Sequence, residues 1–235
     1  SSAVYTFNVN KLPSSITVSA GDIKVGEDAV IVASITSGAT GNVTFTIGDM
    51  IKVVDVVDGK AILTVKDLAS GDYTVDATYN GDVKYLSSSN SSSFKVSKVD
   101  STISIDVGDI KVGEDAIINV VVPNDATGIV TITVNGESKD VNIADGKAIL
   151  TVKDLASGDY TVDATYNGDN KYNKANATGS ITVSKVSEFD FNVDVKVDEN
   201  VTVNVVLPKD ATGEITVKVN NNNYTAKVEN GSAKV

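Results

Sequence analysis

The chain contains no cysteine, histidine or tryptophan, and neither arginine nor glutamine occurs anywhere in its 235 residues. Each absence removes a chemistry. Without cysteine and histidine there is no thiolate nucleophile, no imidazole base, no disulfide and no zinc site of the thiolate or imidazole kind. Without arginine, all 20 basic residues are lysines, set against 31 acidic ones for a formal charge of −11. That balance, with no planar fork to grip phosphates, argues against nucleic acid and anionic membrane surfaces as partners. Long apolar runs are also missing: nothing approaches the ~18 residues of a membrane span, so no direct membrane insertion is expected of this segment. What is present is an acidic chain, 41% hydrophobic, able to bury cores.

The strongest positive signal is internal repetition. DGKAILTVKDLASGDYTVDATYNGD at 58–82 recurs letter for letter at 145–169, and GDIKVGEDA at 21–29 recurs at 108–116, both at an offset of 87. Lys11, Lys98 and Lys185, which close successive units, lie 87 residues apart as well. A third unit opens near Val186 at an offset of 85, where VVPNDATG at 121–128 becomes VLPKDATG at 206–213. YTFNVNK at 5–11 matches the closing segment of a unit whose body is not in the sequence. The expected organisation is a closing strand of a preceding repeat at 1–11, full repeats at 12–98 and 99–185, and an incomplete repeat at 186–235, a window on a longer array.

Within a repeat the apolar period is two. Ala29, Ile31, Ala33 and Ile35 alternate with more polar positions, as do Val43, Phe45 and Ile47, then Ala61, Leu63 and Val65, then Tyr73, Val75, Ala77 and Tyr79. Turns bearing Gly, Asn and Asp punctuate these runs every ~8 to 12 residues, which predicts antiparallel strands. About seven short strands per repeat is the content of a two-sheet sandwich with one core. The expected fold is therefore all-β, with tandem sandwiches joined by very short links into an extended rod.

Three motifs carry a resemblance to a known family. G-x-V-T-F stands at Gly41–Phe45, L-x-x-G-x-Y at Leu68–Tyr73 and Leu155–Tyr160, and A-T-Y-N-G-D-x-x-Y at Ala77–Tyr85 and Ala164–Tyr172. Together they resemble the tandem bacterial and archaeal Ig-like domain repeats of group 3, found in large cell-surface adhesin-like proteins. The low-arginine composition is similar to that of adhesin-like proteins of methanogenic archaea. The resemblance implies an extracellular, non-catalytic stalk or spacer that serves cell adhesion. A glycan-binding module, or a subunit of an extracellular filament assembled by strand exchange, is the alternative. Implied partners are neighbouring repeats of the same chain, then other cells, glycans or like subunits. No cofactor is implied.

Candidate site residues are few. Tyr73 and Tyr160, just after a crossover between sheets, suit a structural tyrosine corner, with the ring buried and the hydroxyl returned to nearby backbone. Sequons at Asn42, Asn90, Asn176, Asn200, Asn223 and Asn230 are candidates for N-glycosylation, although a chain so rich in Asn, Ser and Thr supplies several by chance. Oxygen-only calcium ligation is the one metal chemistry this alphabet allows, and aspartates cluster at GDIKVGEDA and YNGDxKY, but no D-x-[DN]-x-[DN]-G loop occurs and turn-forming roles are the stronger reading. A Lys–Asn crosslink has no consistent asparagine in the repeat frame. Paired catalytic carboxylates would need a cleft, whereas these acids fall in turns or on outward strand positions. In the third unit, Val201, Val203, Val205, Leu207, Ile215, Val217 and Val219 are expected to face a missing half core, completed by further chain or by a neighbouring molecule that lends a strand such as Tyr5–Asn10.

Overall fold

A computed structural model of the chain describes residues 8–186, 190–194, 201–208 and 211–235. The all-β tandem sandwich expected from the period-two pattern is the fold the chain adopts. The 1–11 closing strand falls largely outside the described residues. Its described positions, Asn8, Val9, Asn10 and Lys11, are exposed and lie in no strand.

The first repeat is built from β1 (Ile16–Ala20), β2 (Ile23–Lys24), β3 (Ala29–Ile35), β4 (Asn42–Ile47), β5 (Met50–Asp55), β6 (Lys60–Val65), β7 (Gly71–Tyr79) and β8 (Ser88–Ser97). They form one sheet in the order β1-β3-β6 and another in the order β2-β8-β7-β4-β5. That is eight segments where about seven were expected, because the opening strand breaks at Gly21 and Asp22. Before the break β1 runs antiparallel to β3; after it β2 runs parallel to the last strand, with Ile23 opposite Val96 and Lys24 opposite Ser97. Asp22 holds the switch by accepting the Lys95 amide at 2.7 Å.

The alternating residues do what their period demands. Ile31, Val43, Phe45, Val75, Ala77 and Tyr79 are each no more than 1% exposed and belong to one cluster between the two sheets. Burial of Ile31, Val43, Phe45 and Val75 contributes about 1.5–3 kcal/mol each by taking them out of water.

The second repeat follows the same plan: β9 (Ser104–Asp106), β10 (Ile110–Lys111), β11 (Ala116–Val121), β12 (Ile129–Val134), β13 (Glu137–Asn142), β14 (Lys147–Val152), β15 (Gly158–Tyr166) and β16 (Ala175–Ser184). Its sheets have the orders β14-β11-β9 and β10-β16-β15-β12-β13. The letter-for-letter duplicate thus supplies β6 and β7 in one repeat and β14 and β15 in the other. Ile118, Val130, Ile132, Val162, Ala164 and Tyr166 are buried in the same way.

The third unit has β17 (Asp190–Asp194), β18 (Thr202–Val206), β19 (Glu214–Val219), β20 (Asn222–Lys227) and β21 (Ser232–Lys234). Its sheets are β17-β18-β21 and the single hairpin β19-β20. Asn220 and Asn221, with φ of 47° and 66°, close that hairpin; asparagine tolerates this left-handed geometry better than most residues. Among the described residues no strand corresponds to the seventh or eighth. Val203 and Val205 are covered, but Val201 is 51% and Val219 44% exposed.

Candidate functional site

Three residues after β7, Asp82 occupies a densely bonded position in the first repeat. Its Oδ2 accepts the Thr40 amide at 2.8 Å and the Thr40 hydroxyl at 3.0 Å, and its Oδ1 accepts the amides of Lys84 at 2.7 Å and Tyr85 at 2.6 Å. One carboxylate therefore ties the loop entering β4 to the loop leaving β7. Asp169 repeats this arrangement with Thr127, Lys171 and Tyr172. Donors aimed at a carboxylate favour its ionised form. The Thr40 amide, with those of Tyr85 and Lys84, holds the Asp82 carboxyl well below the usual range. At Asp169 burial pushes the other way, but the amides of Thr127, Tyr172 and Lys171 outweigh it and that carboxyl is also depressed.

The clamp depends on the glycine before it. Gly81 has φ +80°, and a Cβ there would stand 2.9 Å from the Tyr85 carbonyl oxygen and 3.2 Å from the Ser87 nitrogen; at Gly168 the Tyr172 oxygen would be 2.8 Å away. Only glycine both reaches that φ without strain and lets the chain fold back this closely. Beneath the clamp, burial first and the Asp82 carboxylate second push the Tyr79 phenol up to about 12. Tyr166, in the same place over Asp169, is raised further.

The chain entering each repeat is fastened to the same loop. The Leu12 amide donates to the Lys84 carbonyl at 2.8 Å and the Leu86 amide to the Leu12 carbonyl at 2.9 Å; Val99, Lys171 and Asn173 repeat both bonds. β8 ends at Ser97, and Val99 already bridges to Tyr172. The exit strand is held as well: the Val25 amide donates to the Ser97 carbonyl at 2.9 Å, and the Val112 amide to the Ser184 carbonyl at 3.0 Å.

The Tyr73 hydroxyl donates to the Ala69 carbonyl at 3.0 Å and the Tyr160 hydroxyl to the Ala156 carbonyl at 2.9 Å. The Tyr73 ring stacks on Phe94 with centroids 5.4 Å apart. Asn42 is half-buried and accepts from the Asn80 amide at 2.6 Å. Asn90 donates its side-chain nitrogen to the Ile16 carbonyl at 3.1 Å. Asn90, Asn176, Asn223 and Asn230 are exposed, Asn176 accepting the Thr165 hydroxyl at 3.0 Å, and Asn200 lies outside the described residues.

The acidic clusters are occupied by protein partners. Asp109 accepts the Thr182 amide at 2.8 Å, as Asp22 does that of Lys95. Glu27 and Glu114 accept the amides of Lys24 and Lys111 at 2.8 and 2.7 Å. Asp28 pairs with Lys66 at 3.4 Å, and Asp115 with Lys153 at 3.3 Å. Among the described residues no three acidic side chains are placed to share a cation. In the sequence Asp82 and Asp169 stand out only as members of the YNGDxKY cluster, read as turn formers in preference to calcium ligands. The 42-residue separation from Thr40 and Thr127, kept in both repeats, is the one signal that could have paired them.

The profile of the bacterial Ig-like domain, group 3, matches this chain at residues 16–97 and again at 104–184. Among solved structures, the titin domains Z1Z2 in complex with telethonin are similar at 16% identity, over 76% of this chain and 100% of that one, with a TM-score of 0.43. The fibronectin(III)-like modules of Clostridium thermocellum CbhA are similar at 16% identity, over 73% and 95%, with a TM-score of 0.31. The FN1–FN3 domains of chicken CNTN1 share 13% identity over 92% and 87%, with a TM-score of 0.30. No curated protein sequence matches the chain.

Proposed function

The chain belongs to the bacterial Ig-like domain family, group 3, and from that premise we propose that it is a non-catalytic stalk segment of a cell-surface adhesin-like protein. Domains of this family are common in extracellular and surface proteins, where their roles are structural. Among the described residues no helix is long and apolar enough to cross a membrane. In this reading 12–98 and 99–185 are successive spacer domains, 186–235 opens a third, and 1–11 closes one before them. The exposed sequons Asn90, Asn176, Asn223 and Asn230 are then its glycan acceptors, and Tyr73 and Tyr160 are its corner residues.

The observation that carries the proposal is the parallel pairing of an opening strand with the closing strand in both repeats, β2 with β8 and β10 with β16. Parallel neighbours send the two chain ends out of opposite ends of the domain. Tension along the chain then shears these hydrogen bonds together instead of peeling them one by one. The fastening of Leu12 and Val99 to the Asp-clamp loops protects the entry points of the same load path.

Single-molecule extension of the chain tests this. Each matched span of about 80 residues, at ~3.3–3.6 Å per residue, should release roughly 26–29 nm of chain less its folded end-to-end distance, giving two equal steps. Val25→Pro removes the amide that bonds Ser97 and should lower the unfolding force of one repeat, the other serving as internal reference. Equal forces for both repeats in that variant would refute a load-bearing role for the parallel pair.

A further inference from the structure

Asparagine followed by glycine occurs four times, at Asn80, Asn135, Asn167 and Asn230. In this dipeptide the glycine nitrogen can reach the asparagine side-chain carbonyl carbon, because no Cβ on the glycine obstructs the approach. The fold gives the four copies unequal freedom to use that reach.

Asn80 and Asn167, beside the aspartate clamps, are tied down. The Asn80 side-chain nitrogen donates to Asn42 Oδ1 at 2.6 Å and to Thr44 Oγ1 at 2.9 Å, and its backbone nitrogen donates to the Asn42 carbonyl at 3.1 Å. The Asn167 side chain donates to Thr131 Oγ1 at 3.3 Å and its backbone nitrogen to the Ile129 carbonyl at 3.4 Å. Those bonds hold each side chain on the neighbouring strand, and rotation onto the following glycine would break them. At Asn230 the glycine is buried, and the Gly231 carbonyl accepts the Leu207 amide at 2.8 Å.

Asn135 is held by none of these. With Gly136 it forms the two-residue tip of the β12–β13 hairpin, at φ of 53° and 78°, just beyond the last pair, Val134 and Glu137. Both tip residues are exposed, and among the described residues neither the Asn135 side chain nor the Gly136 amide has a hydrogen-bond partner. Val134 is the last buried residue of β12, so the tip can rotate without disturbing the core.

We propose that Asn135 is a self-modifying position, converted to aspartate or isoaspartate in the folded chain ahead of the other three asparagines. The Gly136 nitrogen gives its proton to water or hydroxide and bonds to Asn135 Cγ; the Cγ–Nδ2 bond breaks, and the nitrogen takes up a proton and leaves as ammonia, closing a succinimide. Water then adds to one of the two ring carbonyls and opens the ring, so neither oxidant nor cofactor enters. Opening on one side leaves aspartate. Opening on the other leaves isoaspartate, whose backbone runs through the extra methylene. Either product sets a new negative charge beside Glu137, and isoaspartate lengthens the turn that fixes the β12–β13 register. The first repeat has Gly48 and Asp49 at the corresponding place, so its hairpin has no ammonia to lose. This inference stands apart from the stalk reading and would hold for a chain that bears no load.

The test incubates the full chain in heavy-oxygen water at mildly alkaline pH, folded and in parallel in denaturing urea, and follows peptides spanning each site by mass spectrometry. Heavy oxygen enters at ring opening and so marks only conversions made during the incubation. In the folded chain Asn135 should convert at least tenfold faster than Asn80, Asn167 or Asn230, and in urea the four rates should draw together to within a few-fold. The proposal is overturned if Asn135 in the folded chain converts no faster than Asn80, which would mean that the turn itself protects it. It is overturned too if the full gap between the sites persists in urea, since local sequence and not the fold would then set the order.

Discussion

The Tyr172 hydroxyl donates to the Asp125 carboxylate at 2.6 Å, with Lys171 bonding the other oxygen of that carboxylate at 2.6 Å. The first repeat lacks this pair. Gly38 stands where Asp125 does, and Tyr85 gives its hydroxyl to the Ser37 carbonyl at a longer 3.2 Å. Lys171, and Tyr172 after it, hold the Asp125 carboxyl below its usual range. Two repeats with one core plan are therefore braced differently at the loop before the fourth strand.

Asp125→Ala should lower the melting temperature of the second repeat and leave the first unchanged. Because the pair is solvent-exposed, the shift should be no more than a few degrees. Calorimetry with the two transitions assigned by hydrogen exchange would show it, and a shift in both repeats would mean that the brace is not local.

Acid should destabilise both repeats through their clamps. Asp82 and Asp169 have depressed folded-state values, so what they contribute is complete above about pH 4, near the unfolded carboxyl, and is lost as pH falls below it. Asp82→Asn should flatten the acid limb of the first repeat only. Urea midpoints between pH 2 and 7 that run parallel for variant and parent would contradict this.

The alkaline limb has the opposite sign. Tyr79 is raised to about 12, so its contribution is present below the ordinary phenol value of ~10 and is lost as pH rises towards and through about 12. Tyr79→Phe should remove that loss in the first repeat, as read from urea midpoints between pH 9 and 12. An unaltered alkaline slope would show that another group sets it.

Gly81→Ala and Gly26→Ala separate two costs. Both glycines have positive φ, +80° and +94°, but a Cβ at Gly26 meets open space whereas one at Gly81 meets the Tyr85 carbonyl oxygen. The backbone term alone is of order 1–3 kcal/mol. Gly81→Ala should therefore cost clearly more in denaturant unfolding, and equal losses would dismiss the close approach as a constraint.

Tyr73→Phe keeps the ring on Phe94 and deletes only the bond to Ala69. A loss of about 0.5–1.5 kcal/mol is expected, matched by Tyr160→Phe. A neutral result at both positions would leave packing as the whole role of these tyrosines.

Most of the sandwich was legible because burial on one face of a strand writes itself as a period of two. Ala29 to Ile35 and Tyr73 to Tyr79 show it directly, and an exact 87-residue offset doubled the evidence. The break between β1 and β2 was not legible. Alternation runs on even positions through Ile16, Val18 and Ala20 and resumes on odd ones at Ile23 and Val25; a one-residue phase shift is what any bulge or turn also produces, so it does not by itself report that the chain has changed sheets. The Asp82 clamp was hidden for another reason. An aspartate in a Gly-containing turn has the same letters whether it faces water or binds amides, and its partner Thr40 is remote in sequence. Asp125 was likewise unremarkable until folding brought Tyr172 to it.

Strands β6 and β7 have the same sequences as β14 and β15 and occupy the same places in their sheets. During folding, such strands carry no label of the repeat they belong to, and either pair could dock on β3 and β4 or on β11 and β12. The labels must come from what differs. Ile51 and Val53 in β5 face Ser138 and Asp140 as their counterparts in β13, and the serine-rich β8 differs from β16 along most of its length. Correct assortment of identical neighbours thus falls to the short, fast-closing β4–β5 and β12–β13 hairpins and to chain connectivity. Lengthening the links between repeats would be felt first as swapped strands between neighbours.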